Sequence, residues 1–284
     1  MWSGSPYDCE FDNPGEAMKK LIVAVTIMLG GCGGSAENDA ASSDAIADAA
    51  PSGWVEIAHD GRTLHAYVAQ PEGAGPHPAI IVIHQNRGFS DWVGTIADRV
   101  AEQGYIAIAP DLLSGTAPGG GRTIDFADSD AAREGIGALD PEQVTGDLNA
   151  AVDYLLSLPN SNGKVSVSGF CWGGSRTFGF AASRGDLEAA YVFYGTGPSE
   201  AGAYSDVGAS VYGFYGGEDN RVNSTIDASS AAMASMESSY DPVIYDGAGH
   251  GFMSRGESAE EGDPNRVAME AAWTRWAALL ESHR

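Results

Sequence analysis

The six residues Gly169-Phe170-Cys171-Trp172-Gly173-Gly174 put a cysteine at the centre of a G-x-nucleophile-x-G turn, between the strand-like run Lys164–Ser168 and a helix-period stretch. A thiolate attacks acyl carbons well, and a sharp strand-to-helix turn holds such an atom clear of the backbone. The turn needs nearly side-chain-free neighbours, which the glycines at 169, 173 and 174 supply. A Gly-rich turn after a strand also serves as a plain connection, so the chemistry depends on partners elsewhere in the chain. They follow in the order nucleophile, acid, histidine. Asp219 lies in the Gly-rich loop after Val211–Tyr215, and His250 lies in the loop after Pro242–Tyr245. Glu218 competes with Asp219 by a single residue of register. His250 is expected to take the thiol proton, or to stand as imidazolium beside a thiolate, while Asp219 orients the ring. Thiolate attack on a carbonyl gives a thioester that water then hydrolyses. The oxyanion needs two N–H donors: one is expected from Trp172, which follows the nucleophile, and the other from Asn86, after the strand-like run Ala79–Ile83.

Trp54–Ile57 and Arg62–Ala69 alternate in polarity around Asp60-Gly61 and read as two antiparallel edge strands. The later strand-like runs, 79–83, 105–109, 165–168, 189–194, 211–215 and 243–245, are mostly apolar or small, as befits strands covered on both faces. Helix-period stretches at 91–103, 141–157, 173–183, 225–238 and 265–282 separate them, and Asp140-Pro141 reads as an N-cap followed by proline at the first helical position. This alternation predicts an α/β fold, a doubly wound and mostly parallel sheet with helices on both faces. Cys171, Asp219 and His250 then all fall at the carboxyl edge of the sheet, where ligands bind. Residues 112–139 read as a long Gly- and Asp-rich loop forming a partial lid, and 251–264 as another wall of the site. Trp172, Phe89, Trp92 and Phe252 are aromatic candidates for an acyl pocket, although aromatics at such positions also serve as core.

The chain resembles the dienelactone hydrolases, α/β-hydrolases with a Cys-Asp-His triad. The likeness runs from about Gly53 to the end. It is carried by His84-Gln85-Asn86-Arg87-Gly88, Gly104-Tyr105 with Ala109–Leu112, Asn162–Val165 leading into the cysteine elbow, Tyr194-Gly195, the loop at 216–219 and Gly249–Met253. The resemblance implies hydrolysis of small carboxylic esters or lactones with no metal and no organic cofactor. One residue departs from the pattern. The family usually has glutamate where Gln85 stands, as a carboxylate that helps deprotonate the cysteine, whereas an amide accepts no proton at neutral pH. Activation would then fall to His250. Gln85, Arg87, Phe252 and Arg255 are the candidate substrate contacts, and Arg122 and Arg133 are further candidate carboxylate clamps.

Residues 1–31 form a signal-peptide region: Met18-Lys19-Lys20, an apolar run Leu21–Leu29, then Gly30-Gly31-Cys32, with translation starting either at Met1 or at Met18. Leu-Gly-Gly-Cys resembles a bacterial lipobox, which would make Cys32 a lipidated residue; an incidental cysteine after an ordinary signal peptide is the alternative. Residues 32–52, small and polar, are expected to be a disordered tether, and 53–284 one hydrolase domain. The expectation is thus an exported bacterial envelope lipoprotein, at the periplasmic side or in the outer membrane, which meets membrane only through its anchor. A net charge of −24 argues against nucleic acid as a partner. Two further functional readings stand beside ester hydrolysis: a non-catalytic lipoprotein that binds a small ligand on the same fold, and acyl transfer or thioester cleavage.

Overall fold

The computed structural model describes residues 52–204 and 206–284. The signal-peptide region, Cys32 and nearly all of the tether therefore lie outside the described residues. Among the described residues, eight strands form one sheet: β1 (Gly53–His59), β2 (Arg62–Ala69), β3 (His77–Ile83), β4 (Ile106–Pro110), β5 (Ser161–Phe170), β6 (Ala189–Phe193), β7 (Ser210–Gly216) and β8 (Tyr240–Tyr245). Their order is β1-β2-β4-β3-β5-β6-β7-β8. β1 and β2 are antiparallel, β2 meets β4 antiparallel, and every pairing from β4 through β8 is parallel. The β1–β2 turn has φ of 46° at Asp60 and 76° at Gly61, positive at both central positions as a two-residue turn on twisted strands requires.

Among the described residues, eight α-helices accompany the sheet: α1 (Asp91–Ala101), α2 (Ser129–Ala138), α3 (Pro141–Ser157), α4 (Trp172–Ser183), α5 (Asn220–Asn223), α6 (Ile226–Ser235), α7 (Phe252–Arg255) and α8 (Pro264–Ser282). The strand period of two divides the core between the faces. Ile81 and Ile83 of β3 share one apolar cluster with Val144 and Leu148 of α3, Phe178 of α4 and Met233 of α6. Ile80 and Val82 share the other with Val93 and Ile96 of α1 and Trp276 and Leu280 of α8. All four β3 side chains are fully buried, each contributing about 1.5–3 kcal/mol of apolar burial. The strand thus reads as a continuous apolar run because both of its faces are covered. Asp140 caps α3 as its sequence suggests, its side chain accepting from the Glu142 N–H at 2.9 Å.

Residues 112–139, read from sequence as a long loop forming a partial lid, carry more regular structure than that. Two short 3₁₀ turns and the ten-residue α2 interrupt the segment, with Asp128 capping α2 by accepting from the N–H groups of Asp130 and Ala131. Ala132 and Ile136, four residues apart, pack with Leu113 in a small separate cluster. So thin an apolar stripe in Gly- and Asp-rich sequence shows little helical period. The segment is also tied down. The Asp111 carboxylate accepts from the Thr123 hydroxyl at 2.6 Å and the Thr123 N–H at 3.0 Å, and the Thr123 hydroxyl oxygen accepts from the Phe89 N–H at 3.0 Å.

A second polar joint lies where the β1–β2 hairpin extends past the carboxyl end of β4. Asp147 of α3 is fully buried, accepts from Arg62 Nη1 at 2.7 and 2.6 Å, and contacts His59 Nε2 at 2.6 Å. It fastens the β1–β2 hairpin to the helix layer.

Candidate active site

Cys171 sits between β5 and α4 with φ 58° and ψ −115°, a left-handed conformation that costs a non-glycine residue about 1–3 kcal/mol. The surrounding packing enforces it. A Cβ on Gly169 would collide with the Gly173 carbonyl, and one on Gly173 with the His84 carbonyl, so strand, turn and helix come this close only with glycine at both positions. The Cys171 N–H donates to the Phe193 carbonyl at 3.0 Å, fixing the elbow to the neighbouring strand β6.

His250 follows β8 by a short turn, and its Nδ1 lies 2.5 Å from Asp219 Oδ2. An ionised carboxylate only accepts, so Nδ1 carries the proton and Nε2 is left for the thiol. The partner is the buried Asp219 and not the exposed Glu218. Asp219 is itself held as the N-cap of α5, its Oδ1 accepting from the Val222 N–H. Burial pushes the Cys171 thiol up, but the His250 hydrogen bond and charge, the Trp172 backbone N–H and the positive charge of Arg221 together bring it below the ordinary thiol value. The hydrogen bond to Cys171 raises His250, burial lowers it, and Asp219 raises it again, for a net rise. Both shifts favour the thiolate–imidazolium form of the pair.

A cavity of about 630 Å³ opens over these groups, lined by Gln85, Asn86, Cys171, Trp172, Tyr194, Arg221, His250 and Arg255 among others. The triad candidates, Trp172, Asn86, Gln85 and Arg255 are therefore brought together. The Gln85 side-chain amide donates to the Ser254 hydroxyl at 3.4 Å. Other candidates go elsewhere. Arg87 binds the Ser129 hydroxyl and pairs with Asp130 at 3.4 Å, fastening its loop to α2 instead of lining the cavity. Phe252 is fully buried against Tyr194 and Tyr245 as core. Arg133 meets Asp130 at 3.9 Å, and Arg122 lies 3.8 Å over the Trp54 ring. Trp92 packs edge-on to Phe170, and Phe89 packs on Trp54. A residue's place in sequence near the site does not say whether its side chain turns to the cavity or to a neighbouring element.

Two cavity residues went unremarked at the sequence level as substrate contacts. Tyr194 directly follows β6 with φ 40°, fully buried, its ring 5.1 Å from that of His250. Arg221 stands two residues after Asp219, and that spacing was the available signal. Eight of the twelve arginines in residues 52–284 are ion-paired with carboxylates among the described residues, whereas Arg221 and Arg255 are not.

The sheet topology and the chain order of Cys171, Asp219 and His250 are those of an α/β-hydrolase. Within that class the model of the dienelactone hydrolase family matches residues 64–284, and the chain belongs to that family. A carboxymethylenebutenolidase of Pseudomonas putida is 34% identical over 142 residues, which cover 49% of this chain and 58% of that one. An Escherichia coli (strain K12) protein provisionally named a carboxymethylenebutenolidase is 32% identical over 221 residues, 72% of this chain and 79% of that protein. Among solved structures, a provisionally named dienelactone hydrolase of Klebsiella pneumoniae subsp. pneumoniae MGH 78578 superposes with a TM-score of 0.70 at 24% identity, covering 81% of this chain and 98% of the other. A dienelactone hydrolase-like promiscuous phosphotriesterase from metagenomic libraries gives 0.68 at 23% identity, covering 83% and 99%. These two structures share the fold. By family, the protein is a hydrolase of the carboxylic ester and lactone class.

Proposed function

We propose that the protein hydrolyses small carboxylic esters or lactones that carry an anionic group, through a Cys171 acyl-enzyme. The observation that carries this reading is the thiol held in a strained turn against an imidazole whose other nitrogen is 2.5 Å from a buried carboxylate. Cys171 Sγ attacks the carbonyl carbon, and the oxyanion is met by the backbone N–H groups of Trp172 and Asn86. The C–O bond then breaks, and the leaving alkoxide takes the proton from His250. In a lactone the released hydroxyl stays attached to the acyl group. Water, deprotonated by His250, cleaves the thioester and returns the thiolate. Gln85 takes no proton, so His250 alone activates the thiol in this scheme.

Support for the anionic group comes from Arg221 and Arg255, guanidinium groups on the cavity wall that hold no carboxylate among the described residues, in a chain of net charge −24. The relatives are named for a butenolide, an unsaturated lactone, with a carboxymethylene substituent. Export and anchoring through Cys32 belong to the same proposal and rest on the signal-like sequence alone.

The test compares p-nitrophenyl acetate with an ester bearing a free carboxylate, for the wild type and Cys171→Ala. The expected result is turnover of both, faster for the anion, with loss of about 10⁴-fold or more in C171A at unchanged folding. A folded wild type inert to both would favour ligand binding without catalysis. An active C171A would remove the thiolate from the mechanism.

A further inference from the structure

One fully buried histidine stands between β3 and the cavity, and the scheme above does not use it. His84 Nδ1 lies 2.8 Å from the Gln85 carbonyl oxygen, and the Leu112 N–H donates to His84 Nε2 at 3.2 Å. A backbone amide only donates, so Nε2 is the bare nitrogen and Nδ1 carries the proton, which it gives to the Gln85 carbonyl. Burial pushes the His84 imidazole below its ordinary range, against the upward pull of Asp111, so the ring is neutral as this tautomer requires. Its plane stacks on Trp172, with centroids 5.6 Å apart and planes 11° from parallel. His84 thus touches the loop that carries Asn86, the first residue of α4, and the base of the 112–139 segment.

The consequence comes from peptide geometry. The Gln85 carbonyl and the Asn86 N–H belong to one planar trans unit and point in opposite directions. Whatever holds the carbonyl therefore aims the N–H. The Gly88 N–H also reaches that carbonyl, but at 3.3 Å, so the His84 bond is the shorter restraint. We propose that His84 is a positioning residue of the oxyanion hole, which orients the Asn86 N–H by holding the Gln85 carbonyl while its ring supports Trp172. This role rests on the reading of Asn86 and Trp172 as the oxyanion donors.

The experiment uses the purified chain with His84→Ala, His84→Asn and Cys171→Ala, assayed on p-nitrophenyl acetate with iodoacetamide labelling of Cys171 in parallel. Asparagine keeps an N–H close to the position of Nδ1. H84A is expected to lower kcat about 10–100-fold, because a donor is misaimed and not deleted, with KM within about twofold and the labelling rate unchanged. H84N should recover part of the lost rate, and ¹⁵N spectra of the wild-type ring should show the proton on Nδ1. A folded H84A with wild-type kcat overturns the proposal. So does a labelling rate that falls together with kcat, which would make the effect one on the thiol or the fold. A proton found on Nε2 overturns it as well. If H84A does not fold, H84N and the ring spectrum carry the test. Full activity in C171A sinks the thiolate mechanism itself, whereas an inactive C171A beside a fully active H84A sinks only the role of His84.

Discussion

His250 meets Asp219 at 2.5 Å and His59 meets Asp147 at 2.6 Å, so the two histidine–aspartate pairs are nearly identical as contacts. What surrounds them is not alike. Asp147 is fully buried and takes Arg62 on both oxygens, while the other arm of Arg62 donates to the Ser114 carbonyl. Burial raises the Asp147 carboxyl above its usual range despite Arg62 and His59, which both pull it down. There the pair faces a fixed cation and joins a hairpin to a helix. His250 instead meets a thiol at the wall of an open cavity, where its proton has somewhere to go. An imidazole against a carboxylate is thus neutral as to role; the third group and its access to solvent decide between a joint and a catalytic device.

The comparison breaks most sharply at the acids. Asp219→Asn should cut kcat about 10²–10⁴-fold, since the ring loses its orienting acceptor, with little change in Tm. Steady-state kinetics beside a thermal melt reads both. The matching change at the other pair, Arg62→Leu, strips Asp147 of its main counter-charge and should destabilise the fold by about 3 kcal/mol, while kcat of the folded protein stays at the wild-type value. Calorimetry that found R62L as stable as wild type, or kinetics that found it crippled while folded, would erase the distinction. Arg221→Gln should lower kcat/KM about tenfold more for a carboxylate-bearing ester than for a neutral one, the neutral ester losing only what the weaker support of the thiolate costs. Smallest is the pH effect. Because Cys171 is held below the ordinary thiol value, the iodoacetamide rate should rise with pH about a midpoint lower than the ~8.5 of free cysteine, and His250→Ala should move that midpoint upward. A midpoint at the free-thiol value in the wild type would refute the ion-pair account.

The elbow was legible because its requirement is local. Backbones pass at the separation seen here only without Cβ atoms, so Gly169 and Gly173 announce the turn wherever they occur together. The strands were legible because β3 is apolar on both faces, and burial on both faces leaves few other readings. By contrast α2 was hidden in 112–139, where a cap at Asp128 and two apolar residues suffice once Leu113, Phe126 and Trp172 supply the packing. Arg87 and Arg255 look equivalent in sequence, yet one is held by Ser129 and Asp130 of α2 and the other lines the cavity. No spacing rule separates them, because the partner of Arg87 lies more than forty positions along the chain.

Order along the chain already singled out Cys171, Asp219 and His250 as candidates that meet at one edge, since parallel strands deliver their carboxyl ends there whatever their separation in sequence. Which of two adjacent acids meets His250, which arginines line the cavity, and which nitrogen of His84 carries its proton were decided by tertiary structure alone. Each of these depends on a side-chain direction, and direction is set by what packs against the residue from distant parts of the chain.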